Sequence, residues 1–218
     1  MARIFTCGFE QNSLSDGIEK YGTSSQGSIS SSIVKNSTYS LRINPSAAAM
    51  SWNAGLNAGA GIKTVYVRFH FYATTMPASD ALVFYIAQSD LTTIMMRLRG
   101  TGSGLKVMNS ANTQVGSNIP LSTGQWYCIQ IKCFSNASTG TIDVLVDGVS
   151  VVSNTGLNTG GGDINGISFG SGVSTTSDYY IDNVAVNDTS GSFQTSYPGD
   201  GYVICLRPTA AGDSAQFT

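Results

Sequence analysis

The chain has 218 residues, of which 11% are charged, and a formal net charge of -2. A chain of this length buries enough apolar surface to fold as one sandwich or barrel without disulfide or metal support. The charge balance argues against nucleic acid as a partner, because phosphate binding needs an excess of Lys and Arg. No run approaches the roughly 18 apolar residues of a membrane span, so no membrane partner is expected.

The opening MARIFTCGFEQ has no apolar segment of the kind that directs secretion, so synthesis and assembly in a cytoplasm are expected. Short strands are expected at residues 3–10, 28–34, 39–44 and 49–53, with at most a turn or two of helix near 46–49. Residues 64–73 alternate strictly: Val65, Val67, Phe69 and Phe71 fall on one face, Tyr66, Arg68, His70 and Tyr72 on the other. Strands are expected again at 82–88, 93–99 and 105–109. In residues 125–134, Tyr127, Ile129, Ile131 and Cys133 share one side, with Gln130 and Lys132 opposite. Residues 141–152 read as a hairpin, with Asp147-Gly148 supplying the positive-φ pair of a tight turn. Strands at 164–170 and 179–187 complete the series.

No window shows helical spacing with caps, and 25 glycines punctuate the strands. The fold class is therefore all-β: a two-sheet antiparallel jelly-roll sandwich over residues 1–190. Residues 191–218, with Pro198 and Pro208 and a polar end, read as a C-terminal extension across the domain or the start of a further segment.

Catalytic chemistry is poorly provided for, and no catalytic residue and no enzyme activity are expected. The single histidine, His70, has no GxSxG motif or other sign of a Ser/His/Asp triad with it. Glycoside hydrolysis needs two carboxylates, and the only glutamates are Glu10 and Glu19, although a pair of aspartates stays open. Gly160-Gly161-Gly162 is not followed by the Lys-Ser/Thr pair of a phosphate cradle. Cys7, Cys128, Cys133 and Cys205 lack CxxC spacing and read as small buried hydrophobes, not metal ligands. Cys128 and Cys133 point to opposite faces of one strand and cannot bridge.

Two constellations remain. Strict alternation in 179–187 puts Tyr180, Asp182, Val184 and Val186 on one face, where an aspartate is costly unless paired or bound to a cation. Glu10 is the natural oxygen partner, and two carboxylates with loop carbonyls suit Ca²⁺; alternatively Asp182 sits at a strand margin and accepts backbone hydrogen bonds. Trp52 and Trp126, with Tyr66, Tyr72, Tyr85 and Tyr197, serve either as sugar-stacking platforms or as core and hairpin packing.

Residues 4–188 resemble the concanavalin A-like, or laminin G-like, jelly rolls. The likeness is carried, in order, by Gly8-Phe9-Glu10, by Thr38-Tyr39-Ser40-Leu41-Arg42-Ile43, by Gly124-Gln125-Trp126-Tyr127, by Val146-Asp147-Gly148 and by Tyr180-Ile181-Asp182-Asn183-Val184-Ala185-Val186. The resemblance implies a structural calcium ion held by Glu10 and Asp182, with Asn183 where a second aspartate usually stands. Residues 199–218 look like the segment that follows such a domain in structural proteins of tailed bacteriophages. What this implies is a virion protein (a head decoration, head fibre or tail-associated subunit) with a lectin-like domain. Its partners would be capsid or tail proteins and host-surface glycans, and a homo-oligomer is compatible with this. The alternative is a carbohydrate-binding module or adhesin, and a third reading is a polysaccharide-degrading enzyme of the same fold.

Overall fold

Period-two alternation over short segments gives strands that each bury one face, and two sheets of such strands close a core between them. The computed structural model describes residues 3–14, 27–46, 49–56, 61–88, 90–171 and 173–203. Among these there is no helix, and the strands are β1 (Arg3–Cys7), β2 (Ser28–Ser30), β3 (Ser40–Ile43), β4 (Met50–Gly55), β5 (Thr64–Thr75), β6 (Leu82–Ala87), β7 (Ile94–Gly100), β8 (Gly104–Asn109), β9 (Gln114–Pro120), β10 (Trp126–Phe134), β11 (Gly140–Val146), β12 (Val149–Leu157), β13 (Gly166–Ser171) and β14 (Asp178–Asn187). The helical turn expected at 46–49 includes residues 47 and 48, which lie outside the described residues.

The larger sheet runs β12-β11-β10-β5-β14-β3-β2, with β1 also paired to β14; the smaller runs β4-β13-β6-β7-β8-β9. The pairings are antiparallel, so the architecture is the two-sheet antiparallel sandwich expected from the alternation. Strand β9 was not foreseen. It carries Gly116 at φ 73°, three polar residues and Pro120, and buries only Val115 and Ile119, as suits an edge strand.

Aromatic side chains join the sheets. Phe69 on β5 packs against Phe84 on β6 and Phe169 on β13, with ring centroids 5.1 and 4.9 Å away. Trp52 on β4 meets Phe5 at 6.2 Å, Phe9 at 5.3 Å and Phe169 at 5.9 Å, and its Nε1 donates to the Leu14 carbonyl at 2.8 Å. At 1% exposure Trp52 belongs to the core, so it is excluded as a sugar platform.

Strand β14 departs from strict alternation. Asn183 has φ 52°, and the register with β5 shifts between Asp182 and Ala185. This bulge turns Val184 and Val186 inward with Tyr179 and Ile181, while Tyr180 and Asp182 stay on the outer face. The single face expected for Tyr180, Asp182, Val184 and Val186 is therefore corrected. The bulge also marks a change of neighbour: β3 pairs with residues 179–181 of β14, and β1 with residues 184–187.

Candidate functional site

Register places the outer-face side chains of the larger sheet in rows that cross the strands. The topmost row is Trp126 on β10, Tyr72 on β5, Tyr180 on β14 and Arg42 on β3, each directly opposite the next. The Trp126 and Tyr72 rings lie 5.4 Å apart and the Tyr72 and Tyr180 rings 6.2 Å apart; the Arg42 guanidinium stands 5.7 Å from the centre of the Tyr180 ring. Arg42 is fixed in turn by a two-pronged pair with Asp178, at 2.9 and 2.8 Å. Trp126 and Tyr72 are half-buried, so each keeps a ring surface in solvent, whereas Tyr180 is buried beneath Arg42 and the strand edge. An open pair of aromatic rings flanked by a fixed guanidinium and carboxylate can stack a sugar ring and hydrogen-bond its hydroxyls.

Of the other aromatics considered from sequence, Tyr66 packs edge-on against Tyr197 at 5.2 Å, and Tyr85 lies on the smaller sheet, opposite Arg97. Tyr180 was not singled out as a platform residue from sequence, because its place beside Tyr72 depends on which strands are neighbours.

The lower rows are crossed by the chain after β14. Asn187 Nδ2 donates to the Ser196 carbonyl at 2.7 Å, Gly199 N donates to Gln130 Oε1 at 3.0 Å, and Arg68 Nη1 donates to the Gly199 carbonyl at 3.3 Å. Asp200 Oδ1 stands 3.0 Å from His70 Nε2, and Val203 N donates to Asn183 Oδ1 at 2.6 Å. Residues 196–203 thus form a strap over β14, β5 and β10. Its close approach to the start of the chain needs Gly8, where a Cβ would stand 3.0 Å from that of Val203. The rest of the expected C-terminal extension, residues 204–218, lies outside the described residues.

The two carboxylates named from sequence meet at one loop. Where β3 gives way to β1 along β14, residues 33–39 fill the gap. Asp182 Oδ2 accepts from Lys35 N at 2.9 Å and Ser37 Oγ at 2.8 Å, and Oδ1 accepts from Asn183 N at 2.7 Å. Glu10 accepts from Thr38 N at 3.2 Å and Tyr39 N at 3.5 Å. Asn183 Nδ2 closes the motif on the Lys35 carbonyl at 3.0 Å. Asp182 is 0% exposed, and burial pushes its carboxyl up to about 7 against the pull of those hydrogen bonds, with the Glu10 charge adding to the rise. Asp182 accepts backbone hydrogen bonds, as one reading expected, but from the middle of β14 and not from a strand margin, and it shares a loop with a second carboxylate. The donors are hard oxygens whose mutual repulsion a cation would relieve, which fits a calcium ion in type.

No protein-family model and no curated protein matches the chain. Several solved structures are similar to it in fold. Cellulose induced protein, Cip1, has a TM-score of 0.59 at 14% identity over 83% of this chain and 95% of that one. Domain 4 of AbnA, a GH43 extracellular arabinanase from Geobacillus stearothermophilus, solved in complex with arabinotriose, has a TM-score of 0.57 at 13% identity, covering 86% and 92%. A botulinum neurotoxin type C structure, reported with cell entry dependent on two ganglioside molecules, has a TM-score of 0.56 at 9% identity; the match covers 85% of this chain and 47% of that one. At these identities the likeness is one of fold alone, a two-sheet β-sandwich.

Proposed function

We propose that this protein is a glycan-binding module that docks saccharide rings on Trp126 and Tyr72, with Arg42 and Asp178 beside them as hydrogen-bonding groups. The observation that carries this reading is the in-register row itself: two neighbouring aromatic rings with surface in solvent, beside a fixed ion pair. Support comes from similar domains described with saccharides, arabinotriose in one case and gangliosides in another. A calcium ion between Glu10 and Asp182 would be structural in this scheme, pinning the 33–39 loop against β14 below the row. No reaction is assigned to the site, and among the described residues the hydrolase reading finds no carboxylate pair across the aromatic row.

The test is a titration of the intact chain with arabinotriose, cello-oligosaccharides and ganglioside headgroups, followed by chemical-shift perturbation. Shifts confined to Trp126, Tyr72 and their neighbours, and lost in Trp126→Ala, support the module. Silence across the panel, or shifts confined to the smaller sheet around Tyr85, would sink this placement.

A second reading keeps the module but carries it on a bacteriophage particle, through capsid or tail partners. Its support is the tail-like sequence of residues 199–218, the first part of which is the strap. The solved structures named above include no virion protein, so the glycan-binding reading stands first. Immunogold labelling of phage particles with antibody to this domain separates the two: label on the head or tail favours the virion, and bare particles remove it.

A further inference from the structure

We propose that Cys128, His70 and Asp200 form a site for a divalent cation of borderline softness, of the zinc class, at the seam between the larger sheet and the strap. The inference is independent of the glycan-binding reading. Cys128 on β10 and His70 on β5 are directly opposed across the strands, and Asp200 of the strap lies over them. A ring nitrogen of His70, Cys128 Sγ and a carboxylate oxygen of Asp200 all lie within 4.8 Å of one another. Bond lengths near 2.0 Å to nitrogen and oxygen and 2.3 Å to sulfur would draw them together by roughly an ångström. Rotation of the exposed Asp200 side chain can supply its own part of that movement, and the remainder falls to the Cys128 side chain.

His70 is only 2% exposed, and its Nδ1 is buried with no hydrogen-bond partner among the described residues. Nδ1 lies across the ring from Nε2, the nitrogen beside Asp200, and carries the ring proton when Nε2 ligates. The pairing of one sulfur, one nitrogen and one oxygen excludes calcium, which takes oxygens alone, and suits zinc. Three protein ligands leave a fourth position for water or an incoming group.

Charge is balanced. The thiolate and the Asp200 carboxylate together offset a doubly charged ion, and Arg68, opposite Ala185 in the next row down, donates to the Asn183 and Gly199 carbonyls. On binding, the S–H bond of Cys128 breaks and its proton leaves to solvent, the Nε2 proton of His70 moves to Nδ1, and the sulfur and Nε2 bond the metal. The ion would tie the strap to two central strands and make closure of the lower face depend on metal. Reading the four cysteines by spacing alone hides this site, because its ligands come from three distant segments.

The experiment uses the full chain in saturating Ca²⁺, which keeps the probe ion off the Glu10 and Asp182 pair. Co²⁺ is titrated as a spectroscopic probe and then displaced with Zn²⁺. The expected result is a single site with thiolate-to-cobalt charge-transfer absorption, retained in Cys205→Ser and absent in Cys128→Ala. Asp200→Asn, on a side chain 75% exposed, should keep the fold and weaken the site roughly tenfold or more. Cys128→Val replaces the alanine variant where the latter does not fold. Absence of the charge-transfer absorption in the unmodified chain, its survival in the Cys128 variant, or unchanged affinity in Asp200→Asn would overturn the site as described.

Discussion

Asp200 and His70 stand 130 positions apart in the chain and 3.0 Å apart in space. The contact ties a solvent-exposed carboxylate on the strap to a histidine buried in the middle of a sheet face. It explains how a polar row can lie under the extension. Burial lowers the His70 pKa, so its ring is held neutral and the Asp200 oxygen faces an N–H, not an imidazolium.

The strap therefore contributes to stability. Ending the chain after Phe193 removes the partners of Arg68, Gln130, Asn183 and Asn187 and opens those side chains to water. With about 1 kcal/mol net for each lost hydrogen bond, the truncated protein should be less stable by about 2–4 kcal/mol. Urea denaturation followed by intrinsic fluorescence reads this directly, and an unchanged midpoint would mean that the strap rests on the sheet without holding it.

The two tryptophans should behave in opposite ways. Trp52→Ala empties a fully buried site among Phe5, Phe9 and Phe169, and should cost about 3–5 kcal/mol. Trp126→Ala removes a half-buried ring from the surface row and should cost less than about 1 kcal/mol while weakening saccharide binding roughly tenfold. Comparable losses of stability in both variants would show that Trp126 is a packing residue and not a platform.

Much of this architecture is legible in the residues, and what is not has physical reasons. The alternation of 64–73 and 125–134 holds in β5 and β10, because both strands lie inside a sheet with one face on the core. Strand β9 hides among Gly116, Ser117 and Asn118, since an edge strand needs only Val115 and Ile119 to anchor it. Asn183 is the informative failure. Asparagine tolerates the left-handed region, and an asparagine inside an apolar run is a cue for a bulge that strict period-two counting passes over. Once the bulge is allowed, Asp182 no longer sits in an apolar row, yet it still finds Glu10 on the same loop. The aromatic row, by contrast, needs the order β10-β5-β14-β3, which no local pattern in those strands encodes.

Calcium should act through that loop. Adding Ca²⁺ at about a hundred times its dissociation constant should stabilise the protein by about 2.7 kcal/mol, and a chelator should reverse it. Glu10→Gln and Asp182→Asn should each abolish the calcium-dependent rise, because each removes one of the two charges on the loop. A rise in Tm that survives both substitutions would place the ion elsewhere.

Acid sensitivity should include a component from the β6–β7 turn. Asp90 accepts from Thr92 N at 3.0 Å and Thr93 N at 2.9 Å, and from the Thr93 hydroxyl at 2.7 Å. These bonds, the Thr93 backbone N–H first among them, hold its carboxyl down at about 2 against an ordinary value of 3.8. A carboxylate with a depressed folded-state pKa contributes stability that is full above the unfolded value and vanishes as pH falls through the folded one. Asp90→Ala should therefore lower Tm above about pH 5, with the difference from the unsubstituted chain closing as pH approaches about 2. Thermal melts of the two proteins across that range provide the check. A difference that stays constant with pH would assign the effect to lost turn geometry alone, with no share from the ionised carboxylate.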